Sequence, residues 1–465
     1  MADLEDVLSA ADASLEASLG RLKDLVRIPS ISTDKSHAGD CEKAAEWLVE
    51  SLLEIGFEAS VRKTDGHPMV VAHHAGADAA APHVLFYGHY DVQPVDPLEL
   101  WSTDPFEPTI SETPDGRKII TGRGTSDDKG QLLTFVEACR VWKETRGDLP
   151  LNVSILFEGE EESGSPSLIP FLEANSDELK ADLALVCDTG MWDAQTPAIS
   201  VSLRGLTGEE ITIHAASRDL HSGHYGGAAA NPIHILTRIL GEMHDETGRV
   251  TIPGFYDGVS ETPDDIKAMW DGLGRSAESF LSEVGLSKPS GEDGRSVLEL
   301  TWARPTAEIN GVWGGYTAPG FKTVIPAEAS AKISFRLVGE QDPHAVRAAF
   351  REFVSSRIPE DCSVEFKAHG TSGAIHLPYE SDELASAGKA LTEEWGKPAA
   401  FVGMGGSIPV VGFFQSMLGM QSLLVGFALE DDCIHSPNEK YDVKSYHKGI
   451  RSWIRIMDAL AAPKA

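Results

Sequence analysis

The sequence predicts an α/β protein: a domain with a mostly parallel sheet flanked by helices, interrupted by an inserted α+β domain. Three observations carry this. From Leu4 to Asp188, short apolar runs alternate with amphipathic helical stretches, and polar residues stand where the apolar runs stop. From about Ser200 the texture changes to alternating strands and helices that pair among themselves. A helical stretch over Asp382–Trp395 then returns the chain to the first domain. The expected boundaries are 1–199 and 380–465 for the two parts of the first domain and 200–379 for the insertion.

A chain of 465 residues is too long for one ordinary core, which favours two domains. At 42% hydrophobic and 24% charged, the composition is that of a soluble globular protein. The net charge of -33 argues against nucleic acid or an anionic membrane as partner. The five cysteines are scattered without paired spacing, as in a reducing cytosol. No apolar run approaches the roughly 20 residues needed to span a bilayer, and the start of the chain is acidic without an apolar secretory core. A cytoplasmic location is therefore expected.

In chain order, apolar residues from Leu4 to Val26 recur at helical spacing, and Pro29 breaks the pattern. A second helix is expected from about Cys41 to Ile55, stopped by Gly56. Strands follow over Phe57–Arg62, Met69–His73 and His83–Tyr87, the last running into Gly88-His89-Tyr90-Asp91. Gly122-Arg123-Gly124-Thr125-Ser126-Asp127-Asp128-Lys129-Gly130 precedes a helix that lasts until Gly147. The apolar run Leu151–Phe157 reads as a buried strand, and four of the five residues after it are carboxylates. Asp182–Asp188 is a further buried strand ending in an acid. In the insertion, strands are expected over Ile199–Leu203, Glu210–His214, Ala331–Val338 and Cys362–Ala368, with helices over Asn231–Met243 and Pro343–Arg357. The stretch from Met243 to about Gly311 reads as a Pro/Gly/Asp-rich region. The chain closes with a strand over Ser422–Phe427, the turn Ile434-His435-Ser436-Pro437-Asn438-Glu439 and an amphipathic helix from about Tyr446 to Leu460.

In open α/β sheets, ligands bind outside the carboxyl ends of the strands. If the sheet is mostly parallel, His89, Asp127, Glu161-Glu162 and Asp188 come to one crevice. With His435 they make a nitrogen and oxygen donor set for two borderline divalent cations. Asp127 would bridge, His89 and Asp188 would complete one site, and Glu162 and His435 the other. Two such ions, about 3.5–4 Å apart, lower the pKa of a shared water and polarise a substrate carbonyl. Glu161, beside a ligand but not spent as one, can act as general base and then acid. Asp91 is placed to accept the second N–H of the His89 imidazole. Each piece has a plainer explanation: Asp127-Asp128 could cap the helix that follows, and His-x-Asp is often a surface pair. Together, in this order, those explanations require five coincidences.

These residues carry a resemblance. Gly88–Pro94, Gly122–Gly130, Glu158–Ser165, Asp188 and Ile434–Glu439 are similar to the motifs of the cocatalytic dinuclear-metal peptidases: carnosinases, aminoacylase-type enzymes, the succinyl-diaminopimelate desuccinylase and glutamate-releasing carboxypeptidases. Asp219–Gly223, Lys322–Pro326, Phe335–Val338 and Gly405–Pro409 place it nearest the carnosinase-like dipeptidases, over nearly the whole length. The resemblance implies an inserted lid domain through which two subunits pair into a homodimer. It implies that His221 reaches the partner's site to stabilise an oxyanion and that Thr323 also acts across the dimer. Arg336, His369 and Ser407 match residues that grip the substrate's C-terminal carboxylate and backbone. One departure stands out: Gly403-Met404 replace the Arg-Glu usual in that branch, so no β-alanyl-histidine preference is implied.

The expected function is metal-dependent hydrolysis of dipeptides or small peptides, with two divalent ions per subunit, Zn²⁺ foremost and Mn²⁺ or Co²⁺ also suited. The alternatives are a deacylase of N-acyl or N-succinyl amino acids, and a non-catalytic metal-binding scaffold.

Overall fold

The computed structural model describes residues 4–282, 284–405 and 408–462. The longer strands, in chain order, are β1 (Glu58–Arg62), β2 (Met69–His74), β3 (His83–His89), β4 (Asn152–Glu158), β5 (Leu183–Val186), β6 (Ala198–Leu203), β7 (Gly205–His214), β8 (Thr306–Gly314), β9 (Glu328–Leu337), β10 (Ser363–Ser372) and β11 (Gln421–Leu424). The main helices are α1 (Leu4–Val26), α2 (Ala38–Glu54), α3 (Lys129–Arg146), α4 (Pro232–Gly241), α5 (Pro343–Ser355), α6 (Asp382–Trp395) and α7 (Val443–Ala461). The chain forms two compact units. One comprises the residues up to Val201, Leu377–Val402 and those from Phe413 onward; the other comprises Ser202–His376 and Gly403–Gly412.

The first unit is built on a sheet ordered β1-β2-β4-β3-β5-β11-β6. The four central strands β4, β3, β5 and β11 run parallel. The outer pairs β1–β2, β2–β4 and β11–β6 are antiparallel. The sheet is therefore mixed, where the sequence suggested a mostly parallel one. The reason is connection length: residues 63–68 between β1 and β2 are too few for a crossover and close a hairpin instead. The parallel centre reads as continuous apolar runs because both faces are covered. Val84, Leu85, Phe86 and Tyr87 on β3 are all buried, as are Leu183–Val186 on β5. On one face, Phe86 stacks on Phe135 of α3, ring centroids 3.9 Å apart, and meets Trp453 of α7 edge-on; on the other, Tyr87 meets Phe414. α1 and α6 end where the sequence pattern ends, α6 with Gly396 in the left-handed conformation after Trp395.

The second unit is an antiparallel sheet ordered β8-β9-β7-β10. Ile211, Ile213, Ala331, Ile333, Phe335 and Leu337 alternate onto one face and are buried with Leu236 and Ile239 of α4 and Val346 and Phe350 of α5. The opposite face is polar. Strand β8 begins within the last residues of the Pro/Gly/Asp-rich stretch, where the sequence suggested no strand. It lies at the sheet edge, with only Ala307 fully buried, so the period-two alternation that marks a strand is missing. Among the described residues, no helix is long and apolar enough to cross a membrane.

Candidate metal centre

The carboxyl ends of the parallel strands in the first unit gather the charged side chains. β3 ends at His89, which lies opposite Glu158 at the end of β4. Tyr87 pairs with Val186, so Asp188 emerges just past the end of β5. A turn after β4 presents Glu161 and Glu162. Asp127 comes from the loop before α3, joined to Asp128 by a cis peptide bond. His435 comes from the turn after β11, in a left-handed backbone conformation.

Ligand atoms of His89, Asp127 and Asp188 all lie within 4.8 Å of one another, as do those of Asp127, Glu162 and His435. Asp127 belongs to both groups through different oxygens. His89 Nε2 is 3.1 Å from Asp127 Oδ1 and 4.0 Å from Asp188 Oδ2. His435 Nε2 is 2.8 Å from Asp127 Oδ2 and 3.2 Å from Glu162 Oε2. The five ligand candidates are thus brought together. Among the described residues, no lysine or arginine forms an ion pair with Asp127, Glu161, Glu162 or Asp188.

The electrostatics follow from that crowding. Burial opposes the protonated form of His89, but hydrogen bonding to Asp127 and Asp91 outweighs it and raises the imidazole's pKa. Burial likewise opposes ionisation of Asp127, yet His435 and His89 hold it well below the usual carboxylate range. Asp188 is pushed up to about 7 by burial and by the charge of Asp127. Burial also raises Glu161, with His89 opposing and Glu162 adding to the rise. His435 is raised to about 10, first by its hydrogen bond to Asp127 and next by that to Glu162.

The supporting residues differ in part from expectation. His89 Nδ1 is 3.1 Å from the backbone carbonyl of Asp91 and 3.4 Å from its carboxylate, so the carbonyl is the nearer acceptor. The Asp91 carboxylate accepts instead the amides of Glu161 (3.2 Å) and Glu162 (3.0 Å), fixing the turn that carries both acids. Asp128 precedes α3, but its side chain does not cap the helix; it accepts the amide of His89 at 3.1 Å. Three contributors have no role in the sequence expectations. Gln93 donates to Glu162 Oε2 at 2.8 Å. The buried Glu439 accepts the amides of Gly124, Ser126 and Asp127, and Arg123 donates to the same carboxylate. Their only sequence signal is an arginine between two glycines and an acid closing the turn after His435.

The other candidates lie in the second unit. His221 pairs with Val324 in a short antiparallel ribbon, and Ser222 donates to the carbonyl of Thr323, which places His221 and Thr323 side by side, both exposed. His369 and Arg336 share the polar face of the sheet. Arg336 lies opposite Leu206, and a Cβ on Gly208, two residues further along that strand, would stand 3.1 Å from His369 Cβ. Ser407 lies outside the described residues.

Fold and site together define an α/β chain with two candidate metal-ligand groups at the ends of the parallel strands of a mixed sheet. The chain belongs to the peptidase family M20/M25/M40, matched over residues 85–459, and is a metallopeptidase. It is 31% identical to the Cys-Gly metallodipeptidase dug1 of Schizosaccharomyces pombe, covering 99% of this chain and 98% of that protein. The Beta-Ala-His dipeptidase of Rattus norvegicus is 28% identical over 83% of this chain and 78% of its own. Among solved structures, the di-peptidase Dug1p of Saccharomyces cerevisiae superposes with a TM-score of 0.75 at 27% identity, covering 99% of each chain.

Proposed function

We propose that this protein is a dipeptidase that hydrolyses the single peptide bond of an unblocked dipeptide with two divalent cations per subunit. The observation that carries it is Asp127, shared between two three-residue ligand groups in a cluster that has no arginine or lysine counterion among the described residues. Buried carboxylates without a cation are costly, so the donor set fits metal ions. His89, Asp127 and Asp188 would hold one, and Asp127, Glu162 and His435 the other. When bound, the pair supplies an acidified water and polarises the scissile carbonyl. Zn²⁺ suits the mixed nitrogen and oxygen set, as do Mn²⁺ and Co²⁺. The relatives named Cys-Gly metallodipeptidase and Beta-Ala-His dipeptidase support the substrate class.

The chain's own residues do the rest. Glu161, with the affinity for protons that burial gives it, accepts a proton from the attacking water and delivers it to the leaving amine. Asp91 holds Glu161 in place through its amide. His221 and Thr323 donate to the developing oxyanion from a partner subunit, and Arg336, His369 and Ser407 hold the C-terminal carboxylate and backbone. Pairing through the second unit is supported by its edge strand, where Ile309, Val312 and Trp313 are exposed, and by the nearby exposed Tyr316 and Phe321. Undiminished specific activity in a proven monomer would remove the trans role of His221. The free cysteines fit a reducing cytoplasm.

The deciding experiment is hydrolysis of one dipeptide and its N-acetylated twin, with chelator and with Zn²⁺ or Mn²⁺ restored. Metal-dependent cleavage of the free-amine form alone is expected. Preference for the acetylated twin replaces the dipeptidase with a deacylase using the same residues.

A further inference from the structure

The polar face of the second unit's sheet holds an arginine that the proposed function does not use. Arg204 stands one residue before β7, two before Leu206, and Leu206 lies opposite Arg336. Strand alternation therefore puts the two guanidinium-bearing side chains on one face of the sheet. Both line one cavity of about 810 Å³, together with Ser334 and Glu308, and both are half-buried.

Their partners are few. Among the described residues, the Arg204 side chain makes one hydrogen bond, Nε to the carbonyl of Gly405 at 3.3 Å, the Arg336 side chain makes none, and neither forms an ion pair. The neighbouring arginines differ. Arg304, a buried residue lining the same cavity, pairs with Glu292 at 2.8 Å and with Glu261. Arg295 pairs with Glu261 and Glu299, Arg351 with Glu209, and Arg357 with Glu242. In a chain with 72 acidic and 39 basic residues, a carboxylate is easily found for an arginine that needs one. Here Asp245, Glu246, Glu292 and Glu308 line the same cavity, yet among the described residues none of them forms an ion pair with Arg204 or Arg336. Burial and the charge of Arg336 together lower Arg204 to about 10, with Glu308 only partly offsetting them. Glu308 is the acid whose charge acts on Arg204, but it is exposed and makes no hydrogen bond to either guanidinium among the described residues.

One α-carboxylate satisfies one guanidinium through its two-pronged donor geometry. It leaves the second without a counter-charge. We propose that Arg204 is a specificity-determining residue which, with Arg336, forms a two-guanidinium site selecting dipeptides whose C-terminal residue carries a second carboxylate, aspartate or glutamate. This rests on the dipeptidase reading and on Arg336 as the anchor for the C-terminal carboxylate. Arg336 takes the α-carboxylate and Arg204 the side-chain carboxylate, while Glu308 at the rim disfavours the acid modestly by like charge.

The test is kcat/KM of the metal-loaded enzyme on Ala-Glu and Ala-Gln, which differ only in that carboxylate. The wild type should prefer Ala-Glu by about tenfold or more, the size expected of one charge-assisted hydrogen bond. In Arg204→Gln the Glu/Gln ratio should fall about tenfold, in Arg204→Lys it should fall less, and in Glu308→Gln it should rise. A wild-type ratio of one or below, or the same ratio in Arg204→Gln, overturns the proposal. If Arg204→Gln does not fold, unchanged ratios in both Arg204→Lys and Glu308→Gln overturn it. If neither dipeptide is cleaved, the dipeptidase reading fails on its own. Calorimetry with free L-glutamate and L-glutamine then decides the anion site: glutamate binding lost in Arg204→Gln upholds it, and equal or absent binding overturns it.

Discussion

Arg123 donates to the carboxylate of Glu439 at 2.8 Å, with both side chains sealed from solvent. The same carboxylate takes three backbone amides from the loop that presents Asp127. Glu439 lies four residues after His435, so one buried pair ties together the two segments that present Asp127 and His435.

Breaking that pair should be expensive. Glu439→Gln leaves Arg123 buried without its counter-charge and removes an acceptor for the loop amides, at a cost of about 3–5 kcal/mol. Replacing both residues by methionine should cost less than the sum of the two single changes, because no lone charge is left behind. Urea denaturation of the four proteins measures this, and additive losses would show that the pair is not coupled.

Glu161 and Glu162 are neighbours with separable tasks. Glu161→Gln should lower kcat by about 10²–10⁴ while metal content stays at the wild-type level. Glu162→Gln should lower metal content itself. Elemental analysis alongside steady-state kinetics distinguishes them, and metal loss in both variants would mean that Glu161 is also a ligand.

Metal uptake should release protons. Without metal, His435 is raised to about 10 and is therefore protonated at pH 7, and Asp188, raised to about 7, is about half protonated. A ligand must give up its proton to coordinate, so binding expels protons, and apparent affinity rises with pH and falls on acidification. At pH 7 more than one proton should leave as both sites fill. Stopped-flow with a pH indicator counts them, and uptake without release contradicts the ligand assignment for His435.

How much of this could be read from the chain depended on local pattern. His89, Glu162 and Asp188 were legible because each follows a buried apolar run, and the ends of parallel strands are where α/β folds place ligands. Asp127 and His435 were legible through their motifs. The antiparallel outer strands were less so, since a buried run does not reveal its direction; only the short connection from Arg62 to Met69 hinted at a hairpin. Strand β8 was missed because its exposed edge lacks alternation. The task of Asp91 was only half legible: its proximity to His89 followed from spacing, but its bonds to Glu161 and Glu162 join residues about 70 positions apart. That Arg204 has no ion pair among the described residues carries no sequence signature, because it is defined by which acids fail to reach it.

The place of β11 has a consequence for biosynthesis. This strand forms late in the chain, yet it sits inside the sheet between β5 and β6. A nascent chain that has emerged only to Val402 must hold a slot open beside β5, with apolar strand edges unpaired and His435 still unsynthesised. The candidate group of Asp127, Glu162 and His435 is therefore completed only in the final stretch that also closes the sheet, whereas His89, Asp127 and Asp188 are all synthesised earlier. Ribosome-held chains ending before Gln421 should be cut readily by protease even with metal present, and full-length chains should resist.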